Sequence, residues 1–107
     1  MSFQTIEIDQ QDFVVTIWLN RPDVRNAFNE QSIAEITQAF RQLDQDRQVR
    51  VITLAARGTA FCAGADLHWM KKMASHTDVE NLADATTLAE MMRVIYCCSK
   101  PVVARVQ

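Results

Sequence analysis

Val51-Ile52-Thr53-Leu54-Ala55-Ala56-Arg57-Gly58-Thr59-Ala60-Phe61-Cys62-Ala63-Gly64-Ala65-Asp66-Leu67 joins an apolar run to a helical pattern through a loop of small residues. Its first six residues are short-range apolar and suit a strand covered by other structure. Leu67-His68-Trp69-Met70-Lys71-Lys72-Met73 has a helical pattern, so the residues between form a strand-to-helix loop. The centre of that loop, Ala63-Gly64-Ala65, carries no acid, base or nucleophile. It can offer backbone N–H groups at a helix start, where negative charge on a ligand is favoured. On spacing alone two readings stand: a donor loop for a ligand oxygen, or a tight connection with Asp66 as helix N-cap.

Upstream, Phe3 to Asp9 alternates enough to predict a first strand, with Gln10-Gln11-Asp12 as the turn. Phe13-Val14-Val15-Thr16-Ile17-Trp18-Leu19 is rich in β-branched and aromatic residues and predicts its hairpin partner. Apolar residues on both of its faces predict a strand covered on both sides. Asn20 to Phe28 reads as a loop, with Pro22 holding Arg21 extended. Asn29 is the expected N-cap of a helix with an apolar stripe at Ile33, Ile36, Phe40 and Leu43, ending near Asp44 to Arg47. Downstream of Met73, the polar break Ser75-His76-Thr77-Asp78 precedes a long helix from Val79 to about Cys98. Its expected apolar face is Leu88, Met91, Met92, Ile95 and Tyr96. Pro101-Val102-Val103-Ala104-Arg105-Val106-Gln107 reads as a further apolar strand. The order β, β, α, β, α, α, β predicts an α/β fold with a largely parallel sheet.

With 107 residues, 49% of them hydrophobic, the chain fits one small domain with a real core. A net charge of −2 and no basic patch argue against a nucleic-acid partner. No apolar run is long enough to span a membrane. Cys62, Cys97 and Cys98 are an odd set with two neighbours adjacent, which does not suit a disulfide framework. No Cys/His spacing fits a metal site, since His68 and His76 stand alone. These features, with no secretion signal in Met1 to Glu7, lead to the expectation of a reduced, cytoplasmic protein.

Phe61-Cys62-Ala63-Gly64-Ala65-Asp66-Leu67 resembles the signature loop of the crotonase (enoyl-CoA hydratase/isomerase) family. Leu19-Asn20-Arg21-Pro22 with Asn26-Ala27-Phe28, and Lys100-Pro101-Val102-Val103-Ala104, resemble two further motifs of that family in the same order. Together they cover nearly the whole chain. The resemblance implies a spiral of ββα repeats, incomplete here, with residues 1–107 as the N-terminal part of a single crotonase-like domain. It implies an acyl-CoA thioester substrate, coenzyme A entering only as part of that substrate, and no permanently bound cofactor or metal. It also implies a homotrimer or hexamer for a full-length chain.

Carried over position by position, the resemblance makes the Ala65 N–H one of two donors to the thioester oxygen. Gly64 lets the ligand approach, and Ala63, Asp66 and Leu67 line the coenzyme by backbone contact. Arg25 would lie near the coenzyme phosphates; a solvated loop arginine is the other reading. Trp69 and Met70 border the acyl group in the resemblance, while helix packing is the plainer account and is preferred for Met73. The helix around Trp69 is faintly similar to hydratases of branched, methylglutaconyl-like thioesters. His68, Lys71 and Lys72 read as solvated helix residues. Cys62 reads as a small buried filler and Cys97-Cys98 as helix packing. Asp78, Glu80, Asp84 and Glu90 read as solvated charges.

The implied activity is hydration of a 2-enoyl-CoA, with double-bond isomerisation or another crotonase-type reaction as the alternative. The family's second oxyanion donor and its usual acids are expected beyond Gln107. A longer parent chain is therefore expected, with the 107-residue chain inactive alone. A catalytically incomplete CoA-binding or interaction module is the reading from another class.

Overall fold

The computed structural model describes residues 2–107. Four strands form one sheet in the order β1 (Ile6–Gln11), β2 (Val14–Leu19), β3 (Val51–Ala56), β4 (Val102–Ala104). β1 and β2 are antiparallel, whereas β2, β3 and β4 run parallel. Helix α1 (Glu30–Asp44) crosses from β2 to β3, and α2 (Leu67–Ala74) and α3 (Asp78–Tyr96) cross from β3 to β4. A 3-10 turn, Pro22–Val24, interrupts the loop after β2. The α/β architecture with a mixed sheet is the one expected.

One face of the sheet meets the helices. Val15, Ile17 and Leu19 of β2 and Ile52 of β3 are buried there with Ile33, Ile36, Phe40 and Leu43 of α1 and Met91 of α3. The α1 stripe at helical spacing is thus fully accounted for by packing. Asn29 caps α1, its side chain accepting from the Ser32 N–H while the Ser32 hydroxyl accepts from the Asn29 N–H.

Several expectations need correction. β1 is shifted to Ile6–Gln11, because Gln10 and Gln11 pair with Val15 and Val14 across a turn in which Asp12 takes φ 55°. β2 is covered on one face only: Val14 is exposed and Trp18 half-buried. On that open face the guanidiniums of Arg57 and Arg105 lie 3.9 and 5.6 Å from the Trp18 ring, so π-stacking with cations replaces a second layer. On α3, Leu88 and Ile95 join the core as expected, but Met92 and Tyr96 face solvent. Cys97, expected to pack, is exposed as the C-cap of α3; only Cys98 reaches the core. β4 is shorter than expected, although the Arg105 N–H still donates to Leu54 O.

Candidate active-site loop

β2 and β3 are in register at Leu19 and Ala56, so the loops that leave them emerge side by side at the carboxyl edge of the sheet. In open α/β sheets that edge is where ligands bind. Three sets of bonds tie the two loops together. Asn26, buried and at φ 56°, donates from Nδ2 to the carbonyls of Arg57 and Ala60, 2.8 Å each, and accepts from the Arg21 N–H. Phe28 bridges Ala65 in parallel fashion: its N–H donates to Gly64 O and its carbonyl accepts from the Asp66 N–H, both at 2.7 Å. The Arg21 guanidinium reaches both Ala27 O and the Asp66 carboxylate.

The parallel bridge decides what Ala65 can do. In such a bridge the residues before and after the central one make the bonds, so the central N–H turns the other way. The Ala63 N–H goes to Arg25 O, the Gly64 N–H to Cys62 Sγ, and the Asp66 N–H to Phe28 O. Among the described residues the Ala65 N–H has no acceptor. Gly64 takes φ 97°, a conformation open to glycine, and an added Cβ would meet nothing within 4 Å. Within the chain itself, the positive φ is what favours glycine at this position.

Asp66 is buried and caps α2, its Oδ1 accepting from the Trp69 N–H at 3.0 Å. That bond, together with the Arg21 guanidinium 3.1 Å away, holds its carboxyl below the usual carboxylate range despite burial. Both features of the plain connection are thus present, and the free Ala65 donor stands beside them.

A cleft of about 440 Å³ lies against this loop. Arg25, Ala63, Ala65, Asp66, Leu67 and His68 line it with Asp23, Val24 and Ala27. Gly64, Trp69 and Met70 are not among the lining residues. Trp69 is 6% exposed and belongs to the core, with its Nε1 lacking a partner; Met70 faces solvent. Arg25 is exposed, and φ 54° turns its carbonyl toward Ala63.

The profile of the enoyl-CoA hydratase/isomerase family matches residues 9–107. The chain belongs to this family. A curated relative from Mycobacterium tuberculosis, "Probable enoyl-CoA hydratase echA6", is 53% identical over 62 residues, 58% of this chain and 25% of that protein. The crystal structure of an enoyl-CoA hydratase from Shewanella pealeana superimposes with TM-score 0.96 at 35% identity, covering 98% of this chain and 40% of that one. One from Mycobacterium smegmatis gives TM-score 0.85 at 37% identity, covering 96% and 40%. The fold is therefore crotonase-like, and the chain spans well under half the length of these relatives.

Within this member of the enoyl-CoA hydratase/isomerase family, several charges expected to be solvated have partners. Glu80 completes the capping box of α3 with Thr77. Asp84 meets His76 Nδ1 at 3.1 Å, and Glu90 pairs with Arg41 and Arg93. Lys72 is exposed but pairs with Glu30 at 3.0 Å. Cys62 is partly buried against the core, as a filler would be. Arg21 and Asn26 hold the two loops together, a role for which the sequence carries no local signal. Their ties between loops show in the sequence as nothing more than polar residues flanking Pro22.

No group of three or more His, Cys, Asp or Glu side chains that could hold a metal occurs among the described residues. Among them no helix is long and apolar enough to cross a membrane.

Proposed function

We propose that this chain supplies the thioester-polarising half of an enoyl-CoA hydratase. The observation that carries the reading is the Ala65 N–H: it lies at the start of α2, lines the cleft and has no acceptor among the described residues. In this reading the thioester oxygen of a 2-enoyl-CoA accepts from it. Water adds across the double bond, hydroxyl to C3 and a proton to C2, through an enolate whose charge gathers on that oxygen. A fixed donor at a helix start favours the enolate over the neutral ground state. Loss of one such donor raises a barrier by roughly 2.7–4 kcal/mol. Ala63 and Leu67 flank the coenzyme, and the Arg25 guanidinium reaches its phosphates. Gly64 keeps the loop in shape. The coenzyme comes and goes with the substrate.

Hydration also needs an acid–base pair. Asp66 is committed to Arg21 and the helix cap, so the remaining carboxylate and imidazole groups lining the cleft are Asp23 and His68, both exposed. That observation favours a second reading for the 107-residue chain taken alone, namely thioester binding without turnover. The acids and the second donor come in this proposal from a longer chain, of which residues 1–107 are the N-terminal part. Isomerisation adds no water: a proton leaves C2 of a 3-enoyl thioester and returns at C4, through a dienolate whose oxygen accepts from the same donor. A branched, methylglutaconyl-like acyl group rests on the resemblance around Trp69 and Met70 alone. Exposed Leu67, Met70, Val79 and Tyr96 favour association into a homotrimer or hexamer, and three free cysteines favour a cytoplasmic setting.

Calorimetry of the chain with crotonyl-CoA and with free coenzyme A tests the reading. The thioester is expected to bind more tightly than coenzyme A, with no loss of the enoyl absorbance over time. Equal affinity for the two would remove Ala65 as a thioester donor. A parent chain carrying the remaining residues is expected to hydrate crotonyl-CoA; binding without hydration or isomerisation would defeat the enzyme reading.

A further inference from the structure

We infer that Arg21 and Asp66 are positioning residues for the Ala65 donor, acting through the loop after β2. The inference rests on the proposed thioester reading and adds to it the pair that sets the donor's direction.

The direction of a single N–H is set by what holds the peptide groups on either side of it. Ala65 has no side chain beyond Cβ and makes no bond through its own N–H. Its orientation is inherited from Gly64 and Asp66, whose bonds to Phe28 form the bridge. Phe28 in turn follows Ala27, whose carbonyl accepts from the Arg21 guanidinium. The same guanidinium holds the Asp66 carboxylate at 3.1 Å, and that carboxylate caps α2 through the Trp69 N–H. One planar fork thus clamps both sides of the bridge, and the donor lies between the clamped points. The pair is well shielded, with side-chain exposures of 20% for Arg21 and 6% for Asp66, so water competes little for it. Neither side chain needs to touch the thioester.

Two variants separate positioning from simple support. Asp66→Asn keeps a side-chain oxygen that can cap α2 but removes the charge that grips Arg21. Arg21→Lys keeps the charge but loses the fork that reaches Ala27 O and Asp66 together. The readout is the infrared carbonyl stretch of crotonyl-CoA labelled with ¹³C at the thioester carbon, measured bound to the 107-residue chain. The amide signal of Ala65 in ¹H–¹⁵N spectra is followed alongside, with those of Val15 and Ile52 as core controls.

In the parent sequence the bound carbonyl stretch is expected below its value in water. In both variants most of that displacement should vanish, the Ala65 amide should move, and Val15 and Ile52 should stay in place. Affinity is expected to fall by less than about tenfold, because the coenzyme contacts persist. If the displacement and the Ala65 signal are unchanged in both variants, the positioning role is overturned while the thioester reading stands. If the unsubstituted 107-residue chain binds crotonyl-CoA with no displacement, or does not bind it, the thioester reading itself fails and the role has no object. Movement of Val15 and Ile52 with Ala65 in both variants would show global loosening and overturn the specific role.

Discussion

α1 and α3 lie against each other, yet they are held in different ways. α1 has 15 residues and buries seven, including Ile33, Ile36, Phe40 and Leu43. α3 has 19 and buries one, Met91, while Leu82 is 69% and Tyr96 90% exposed. α1 is a consequence of the core. α3 is defined by its ends and surface: a Thr77–Glu80 capping box, the His76–Asp84 contact and the Glu90 bridge from Arg93 to Arg41. Helix length is thus a poor guide to packing, and a helix with exposed apolar residues depends on local terms.

The largest contrast comes from truncating one large apolar side chain on each helix. Phe40→Ala leaves a cavity at a site 1% exposed and should cost about 3–5 kcal/mol by urea unfolding. Leu82→Ala removes a solvated side chain and should stay within about 0.5 kcal/mol. Similar costs at the two positions would mean that α3 is packed as tightly as α1.

A polar side chain can hold as a core residue does, and Asn26 is the test. Asn26→Ala leaves the carbonyls of Arg57 and Ala60 and the Arg21 N–H without their partner, at roughly 1–3 kcal/mol for each buried group left unpaired. A total loss of about 2–3 kcal/mol is expected, since water can reach part of the loop. The Ala65 amide signal should broaden at the same time. A neutral result would show that the Phe28–Ala65 bridge, the Arg21–Asp66 pair and the Ala63–Arg25 bond suffice to join the loops.

Periodicity made α1 and β3 legible because each buries one regular face or run; it placed β2 but not its open face, where Val14 and Trp18 are apolar yet not covered by a second layer. It misjudged α3, where Met92 and Tyr96 fit a helical stripe with Leu88, Met91 and Ile95 but lie at its rim. Spacing lists the residues that can share a face; it does not say how wide the covered face is. The strand-to-helix loop and its Asp66 cap were legible from Ala63-Gly64-Ala65-Asp66, which are local features, whereas spacing alone left both a donor loop and a tight connection open. The Arg21–Asp66 pair joins residues 45 apart, and Asn26 reaches 31 and 34 residues along the chain. Such contacts follow from strand register and leave no local pattern.

The end of α3 offers a smaller test. Thr77→Ala removes the hydroxyl that accepts from the Glu80 N–H and should cost about 1 kcal/mol. The loss should appear as faster amide exchange at Glu80 and Asn81, with Val15 and Ile52 unaffected. Uniform exchange across the sheet would make α3 part of the same cooperative unit as α1.

The smallest expected effect separates two carboxylates that are both held below their ordinary range. Hydrogen bonds from Arg93 and then Arg41, with their charges, bring Glu90 to about 2. A lowered folded value means that the associated stability is complete above the ordinary carboxylate value of 4.5 and is lost as pH falls toward 2. Asp66 has the same sign, through the Trp69 N–H and Arg21, with its stability lost below the ordinary 3.8. Their surroundings differ. Glu90 sits at the surface, where water and salt screen the pair and side-chain entropy opposes it. Asp66 is shielded by the two loops it joins. Glu90→Gln should therefore leave the urea midpoint at pH 7 unchanged, and the Glu90 carboxyl, followed by NMR, should titrate at higher pH as salt is added. Asp66→Asn should lower the midpoint at pH 7, and added salt should move the Asp66 titration little. If Glu90→Gln costs as much as Asp66→Asn, surface pairing rather than burial decides how these carboxylates contribute, and α3 is fastened to α1 more firmly than its exposed face implies.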